Sequence, residues 1–405
     1  MQLVAFEDAG WRELLPLTYL RSACELRCGC DTLLDKIRAV APGATLRLAV
    51  RTALRALTDE RYPDLAGQPA GGLWINGRLL LRRFPEMPTR AACWRGDTLL
   101  AAVVDDATAA RLTPEVLEDA PRLRSTLDGL PRLDWSDEWG ELITYPWDLI
   151  ARNAAELRRQ VDALPATCDG RIDAGAILLL PRNIRIGPGS RIKPGAVLDA
   201  EEGPIHIGAN VTISPTAVVR GPCSLGDGVL VQSGAYIREG TSIGPVCRIG
   251  GEIEASIFQG YSNKQHDGFV GHSCVGEWVN LGADTVTSDL KNTYGSVVVP
   301  INGRPIDSGQ MFVGSIIGDH VKTGICTALT TGCVIGLCSN VVVGRPPRWV
   351  RSFSWLTERG AESYRLDRAI EVARRVMARR RVALSSEYEA AFRAAATAAA
   401  MIEER

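Results

Sequence analysis

From Gly208 to Ile249 the chain divides without remainder into the hexads GANVTI, SPTAVV, RGPCSL, GDGVLV, QSGAYI, REGTSI and GPVCRI, each ending on an aliphatic residue. A period of six is neither the 3.6 of a helix nor the 2 of an isolated strand. It is met by a short strand and a tight turn repeated three times, so that about 18 residues complete a triangular coil with the aliphatic positions inside. Stacked coils pair as parallel strands about 4.8 Å apart, and Gly, Asn and Pro at the corners supply the turns. This is the pattern of a left-handed parallel β-helix, and it leaves that half of the chain little choice.

The same spacing holds at Ile186, Ile192 and Leu198, after a weaker start near Ile172, and it resumes over 269–286 and 317–340. Two stretches interrupt it. Ile249 to Phe269 spans 20 residues, one coil and two more, which predicts a bulge at Tyr261–Phe269, "YSNKQHDGF". Leu281 to Ile317 spans 36, which predicts two coils with no change of phase. Bulges re-aim side chains, and repeat arrays carry insertions on a binding face.

Residues 1–147 lack the hexad. "LVAF" and "TLRLAV" predict short strands, "CDTLLDKIRAV" a helix, and "GGLWINGRLLL" and "GDTLLAAVVDD" further strands, so this part is expected to be an α/β domain. Residues 148–168 read as a linker helix with Asp148 as its cap, 169–343 as the β-helix, and 344–405 as an extended arm, "RPPRWVRSFSW", followed by a C-terminal helix. With 46 basic and 47 acidic side chains the charge nearly balances, which gives no reason to expect nucleic acid or an anionic membrane as partner. No apolar run reaches the length of a membrane span, and the N-terminal residues carry acids where a secretory leader has an apolar block, so a cytoplasmic protein is expected. The 11 cysteines show only one C-x-C, at Cys28 and Cys30, and no zinc-ligand spacing.

The chain has four histidines, His206, His266, His272 and His320. An amine attacking a thioester must lose a proton, and a neutral imidazole is suited to take it near neutral pH. His266 fits that role, with Asp284, eighteen residues on, or Glu252 to orient its ring. Lys264 and Arg238 are cations suited to a phosphate. Two other readings stand beside this one: His266 caps a turn, or His266 and His272 contribute to zinc held between subunits of a trimer.

The stretch "GGEIEASIFQGYSNKQHDGFVGHSCVGEWVNLGADT" and the following "LKNTYG" resemble the acetyltransferase domain of the bifunctional N-acetylglucosamine-1-phosphate uridylyltransferase/glucosamine-1-phosphate N-acetyltransferase family. Ser262, Lys264, His266, Phe269, Asn280, Gly282, Ala283 and Thr285 take the places of that family's catalytic segment. Phe269 stands where the family has tyrosine, Asp284 falls inside N-L-G-A-D-T, and "NTYG" carries an extra residue. The resemblance implies His266 as base. It implies Arg238, Lys264, Phe269, Asn280, Asn292 and Tyr294 on an amino-sugar phosphate, and Ala283, Lys322 and Thr323 on acetyl-CoA. Backbone amides would polarise the thioester, and a homotrimer is the expected assembly.

The N-terminal half resembles the divergent nucleotidyltransferase-like domain of a subgroup of the same family through "LLPLTYLRSACELRCG", "LWINGRLL" and "YPWDLIARN". The G-x-G-T-R loop of ordinary sugar-nucleotide pyrophosphorylases is missing. The resemblance leaves Arg21, Glu25, Arg27, Asn76 and Arg78 as candidate nucleotide-site residues, with Mg2+ as cofactor only if that domain transfers nucleotides. A nucleotidyltransferase and a non-catalytic sugar-nucleotide sensor are therefore the readings set against the acetyltransferase.

Overall fold

The computed structural model describes residues 2–403. Strands form where the apolar segments predict them: Gln2–Phe6, Thr45–Ala49, Gly72–Asn76 and Thr98–Val104 build most of a six-stranded sheet. Gln2–Phe6 pairs in parallel with both Thr45–Ala49 and Gly72–Asn76, whereas Thr98–Val104 runs antiparallel to its neighbours, so the sheet is mixed. The helix expected in "CDTLLDKIRAV" spans Leu33–Val40 and is opened by a Thr32/Asp35 capping box.

The linker helix covers Pro146–Ala163. Pro146 takes the first turn, where no amide partner is lost, and the Asp148 carboxylate accepts from the amides of Thr144 and Tyr145 at 2.8 and 3.0 Å. Asn153, fully buried, fastens this helix to both halves: its Oδ1 accepts from Gly29 N at 2.6 Å and its Nδ2 donates to Gly240 O at 2.7 Å.

The hexads form a three-faced prism. Face one begins with Arg171–Ile172 and runs to Asn263–Lys264, face two begins with Ile177–Leu179 and runs to Phe269–Gly271, and face three has nine strands from Ile184–Ile186 to Trp349–Val350. The terminal aliphatic of each hexad points inward: Ile213, Val219, Leu225, Val231 and Ile237 have no exposed surface. Each such burial is worth about 1.5–3 kcal/mol before ordering costs. Corners adopt the left-handed region, at Gly228, Gly234 and Gly240 and also at Asn210 and Thr216.

Both irregular stretches differ from the predicted arrangement, the first in its phase and the second in what fills it. Ile249 lies beside Lys264, 15 positions on, and Ile253 beside Val270, 17 on, so this coil is shortened and the predicted two-residue bulge is absent. Two of the three missing residues fall at Gly250–Gly251, where face one turns into face two within two residues, and the third between Ile253 and Phe258; Lys264 to Val270 keeps the ordinary step of six. Likewise, Val275 pairs directly with Ile317, so 281–317 is not two coils. It holds an insertion whose core is the hairpin Val298–Ile301/Arg304–Asp307. The insertion length is a multiple of six and so leaves the phase untouched.

The segment expected to be an extended arm continues the prism. Trp349–Val350 and Ser354–Thr357 add parallel strands to faces three and one, and two helices follow, Leu366–Ala378 and Ser386–Glu403. The last helix lies against both halves. Its Glu403 carboxylate accepts from Tyr19 Oη at 2.6 Å and from Ser352 N and Oγ at 2.7 Å.

Face three is buried against the α/β domain and the insertion hairpin: Ile257, Cys274 and Ile316, which point out from the prism, cluster with Leu14, Leu17 and Val299. An ion network seals the join. The Arg21 guanidinium reaches Asp319 Oδ1 at 2.9 Å and Glu277 Oε2 at 3.0 Å. Next to it His320, fully buried, shares a 2.8 Å hydrogen bond with Tyr388 of the last helix and meets Phe392 edge-on.

Burial, followed by the nearby charges of Lys322 and Arg21, holds the His320 imidazole well below its ordinary range, so the folded protein keeps it neutral. The unfolded chain takes up that proton below about pH 6.5. Stability from this group is therefore present above that pH and lost as pH falls. Between pH 7.5 and 5.5 the loss is about 1.4 kcal/mol, and urea titrations of the wild type and His320→Gln should differ by that part of the pH slope.

Candidate functional site

Face two carries a strip of outward side chains in reach of solvent. Tyr236, Glu252 and Phe269 point outward from successive coils and stay part-exposed. Arg238, on the same strip, is engaged by carboxylates: Nη1 is 2.7 Å from Glu254 and 3.3 Å from Glu252, and Nη2 is 3.3 Å from Glu239. Burial, opposed by Arg238, raises the Glu254 carboxyl above its ordinary value.

His266 sits at the corner between faces one and two, exposed to solvent in the loop Gln265–Gly268. Asp284 stacks on this loop from the next coil, its amide donating to Asp267 O at 3.1 Å. Its carboxylate, however, faces Cys326 Sγ at 3.9 Å and makes no hydrogen bond to the His266 ring. Glu252 is likewise held by Arg238 and makes none. The predicted orienting pairs with His266 are thus not formed.

Lys264 occupies an inward position of face one, in the column that Ile249 and Leu281 continue, and is fully buried. Its ammonium donates to the carbonyls of His266 and Asp267, the latter at 2.7 Å, and lies 3.5 Å from Gly250 O. It therefore points into the prism, away from any ligand on the outer surface. Burial lowers its pKa to about 8, against the opposing pull of Asp267 and Asp284.

Of the remaining candidates, Asn280 Oδ1 accepts from Asn263 Nδ2 at 3.4 Å on the outside of face one, and Asn263 in turn accepts from Arg380 at 2.6 Å. Asn292 and Tyr294 lie in the exposed start of the insertion, Tyr294 with two-thirds of its surface open. Lys322 donates to His320 O at 2.8 Å, and the buried Thr323 hydroxyl accepts from Gly282 N at 2.9 Å and meets Thr285 Oγ1 at 2.8 Å. Ala283 O accepts from Cys326 N at 2.8 Å.

Sequence reasoning missed the carboxylate-bound imidazole. His272, at the other end of the Phe269–Gly271 strand, has Nδ1 2.8 Å from Asp289 and its ring stacked on Phe312 at 5.0 Å. Asp289 and Phe312 are the two roots of the insertion, tied by Val313 N to Asp289 O at 2.9 Å. Gly271 leaves the room: a Cβ there would stand 2.3 Å from Asp289 Oδ2. His272 and Asp289 stand 17 residues apart, the spacing of stacked positions in this shortened region, which a regular coil of 18 does not predict.

The N-terminal candidates lie among intramolecular partners. Arg78 forks onto Asp8 at 2.8 and 2.6 Å, and Asn76 donates to Asp8 Oδ2 and Leu99 O at 2.9 Å. They stand past the carboxyl ends of the parallel strands, where open α/β sheets take ligands. Glu7 with Arg51, and Trp11 4.1 Å under that guanidinium, fill the same crevice. Arg21 is in the interdomain network, Glu25 accepts from Ser22 N and pairs with Arg61, and the amide of Arg27 donates to Gln259 Oε1 at 3.1 Å. Among the described residues no group of three or more His, Cys, Asp or Glu side chains could hold a metal ion, and no helix is long and apolar enough to cross a membrane.

Residues 3–168 match the family model described as sugar nucleotidyl transferase. Residues 204–239 match six repeats of the bacterial transferase hexapeptide. Both models describe transferases, and together they agree with an α/β domain followed by a left-handed β-helix. A protein of Synechococcus sp. strain CC9311 named bifunctional protein GlmU is 32% identical over 164 residues, 40% of this chain and 34% of the relative. A bifunctional sugar-1-phosphate nucleotidylyltransferase/acetyltransferase of Sulfurisphaera tokodaii is 33% identical over 112 residues, 27% of this chain and 28% of the relative. Among solved structures, the UDP-N-acetylglucosamine acyltransferase of Campylobacter jejuni is 14% identical, covers 56% of this chain and 94% of its own, and has a TM-score of 0.22. The chain spans about a third or less of the length of the curated relatives it matches.

Proposed function

We propose that the protein transfers an acetyl group from acetyl-CoA to the amine of an amino sugar, with His266 as the general base. The observation that carries this reading is the position of His266: an exposed imidazole on a fixed corner of the prism, at the edge of the polar strip of face two. The attacking amine loses its proton to the ring as the C–N bond forms, and the thiolate of CoA leaves. The relatives named as nucleotidylyltransferase/acetyltransferases support the reaction class. Face two, its outer side chains part-exposed from Val197 to Phe269, is the surface on which we place the neighbouring subunits of a trimer. Eleven unpaired cysteines suit the reducing conditions of a cytoplasm.

Glucosamine 1-phosphate is the acceptor implied by the resemblance. Arg238 meets its phosphate only by leaving Glu254, Glu252 and Glu239, and Lys264 is turned inward. A panel that sets glucosamine 1-phosphate beside glucosamine and other amino sugars, read by thiol release from acetyl-CoA, tests the assignment. Thiol release with at least one amino sugar is expected; none with any of them would overturn it. For the N-terminal domain the pairing of Arg21, Glu25, Asn76 and Arg78 within the chain favours a docking role over nucleotide transfer, and release of pyrophosphate from UTP or dTTP with a sugar 1-phosphate and Mg2+ would contradict that.

A further inference from the structure

We infer that Lys264 is a positioning residue, which holds the His266 loop in its working shape from inside the prism and touches neither substrate. This rests on the reading of His266 as the base. A lysine at an inward hexad position is costly, because an ammonium leaves water for an apolar column. The cost is offset only where oxygens surround the charge, and here they do. The carbonyls of His266 and Asp267 accept from Nζ, and Gly250 O lies within 3.5 Å.

The space for this arrangement comes from the shortened corner. Gly250 and Gly251 turn from face one to face two two residues early, and the loop of the following coil settles over the gap. A Cβ on Gly251 would stand 2.6 Å from Gly268 O, 2.8 Å from His266 O and 2.9 Å from Lys264 Nζ. Gly251 also has φ +70, where a side chain is strained. The deletion and the lysine therefore form one device: a missing piece of coil and a cation that ties down the carbonyls above it. From the next coil Asp284 N closes the loop on the other side by donating to Asp267 O at 3.1 Å. With its own carbonyl bound, the His266 backbone cannot turn over, and the point and direction from which its side chain leaves the corner are set.

Lys264→Met keeps the length of the side chain and removes the charge. Its kcat is expected to fall at least 30-fold, while KM for acetyl-CoA and for the acceptor changes less than threefold. Lys264→Gln, which still donates to carbonyls, should recover part of that loss. A phosphate ligand behaves otherwise: its loss raises the acceptor KM. The chain has only five lysines, so native-state amine acetylation followed by mass spectrometry gives a second measurement that needs no variant to fold. Lys264 should resist labelling equally with and without acceptor. Unchanged kcat in a folded Lys264→Met, or rapid labelling that the acceptor blocks, overturns the inference. Full turnover by His266→Ala overturns instead the reading on which it rests.

Discussion

Turnover of the His266→Ala protein is expected to fall by about 10²–10⁴-fold, the contribution of a positioned general base. Thiol release measures it, and calorimetric titration with acetyl-CoA should give a Kd within threefold of the wild type, because the ring makes no hydrogen bond among the described residues whose loss would disturb the fold. The informative control is His272→Ala. That imidazole is bound by Asp289 and stacked on Phe312, so its removal loosens both roots of the insertion. It should lower the melting temperature while reducing turnover less than tenfold. If His272→Ala abolishes thiol release and His266→Ala does not, the base has been assigned to the wrong end of the strand.

The second large effect concerns the join between domains. Asp319→Ala leaves the Arg21 guanidinium buried with one acid fewer, and loss of one member of a buried pair costs about 3–5 kcal/mol. Arg21 is about 2% exposed and Asp319 not at all, so water does not rescue the survivor. Limited proteolysis should show the α/β domain released from the prism at lower urea than in the wild type. The double change Arg21→Met with Asp319→Leu removes both charges, and it should recover most of the loss. A double variant no more stable than Asp319→Ala would mean that hydrogen bonding, including that of Glu277 N to Asp319 at 2.6 Å, outweighs the ion pair.

The architecture was legible because the inward residues of the prism answer to one rule, six residues between aliphatics, which holds without a break from Ile207 to Ile249. It failed where a residue broke the chemistry or a length hid the break. Lys264 stands where Ile or Leu belongs, and Phe269 points outward while Val270 points in, so the spacing from Ile249 to Phe269 disguises a shortening as an addition. The insertion after Thr287 preserved the phase and passed as regular coils. At the candidate site the position of His266 was readable, but the orientation of its neighbours was not: Asp284 is turned toward Cys326, and Lys264 inward. The partners of Arg21 lie up to 298 residues away, and local pattern carries no information on such pairs.

The contact between Tyr19 and Glu403 joins residues 384 positions apart. At about 5–20 residues per second of synthesis, roughly 20–80 s separate the appearance of its two halves. Throughout that interval the apolar surface of the α/β domain that the last helix will cover must wait for its partner. The prism can grow coil by coil as it emerges, each new strand pairing with the one before. The join cannot, so assembly of this protein has two clocks: a local one for the coils, and a late one set by the arrival of the C-terminal helix.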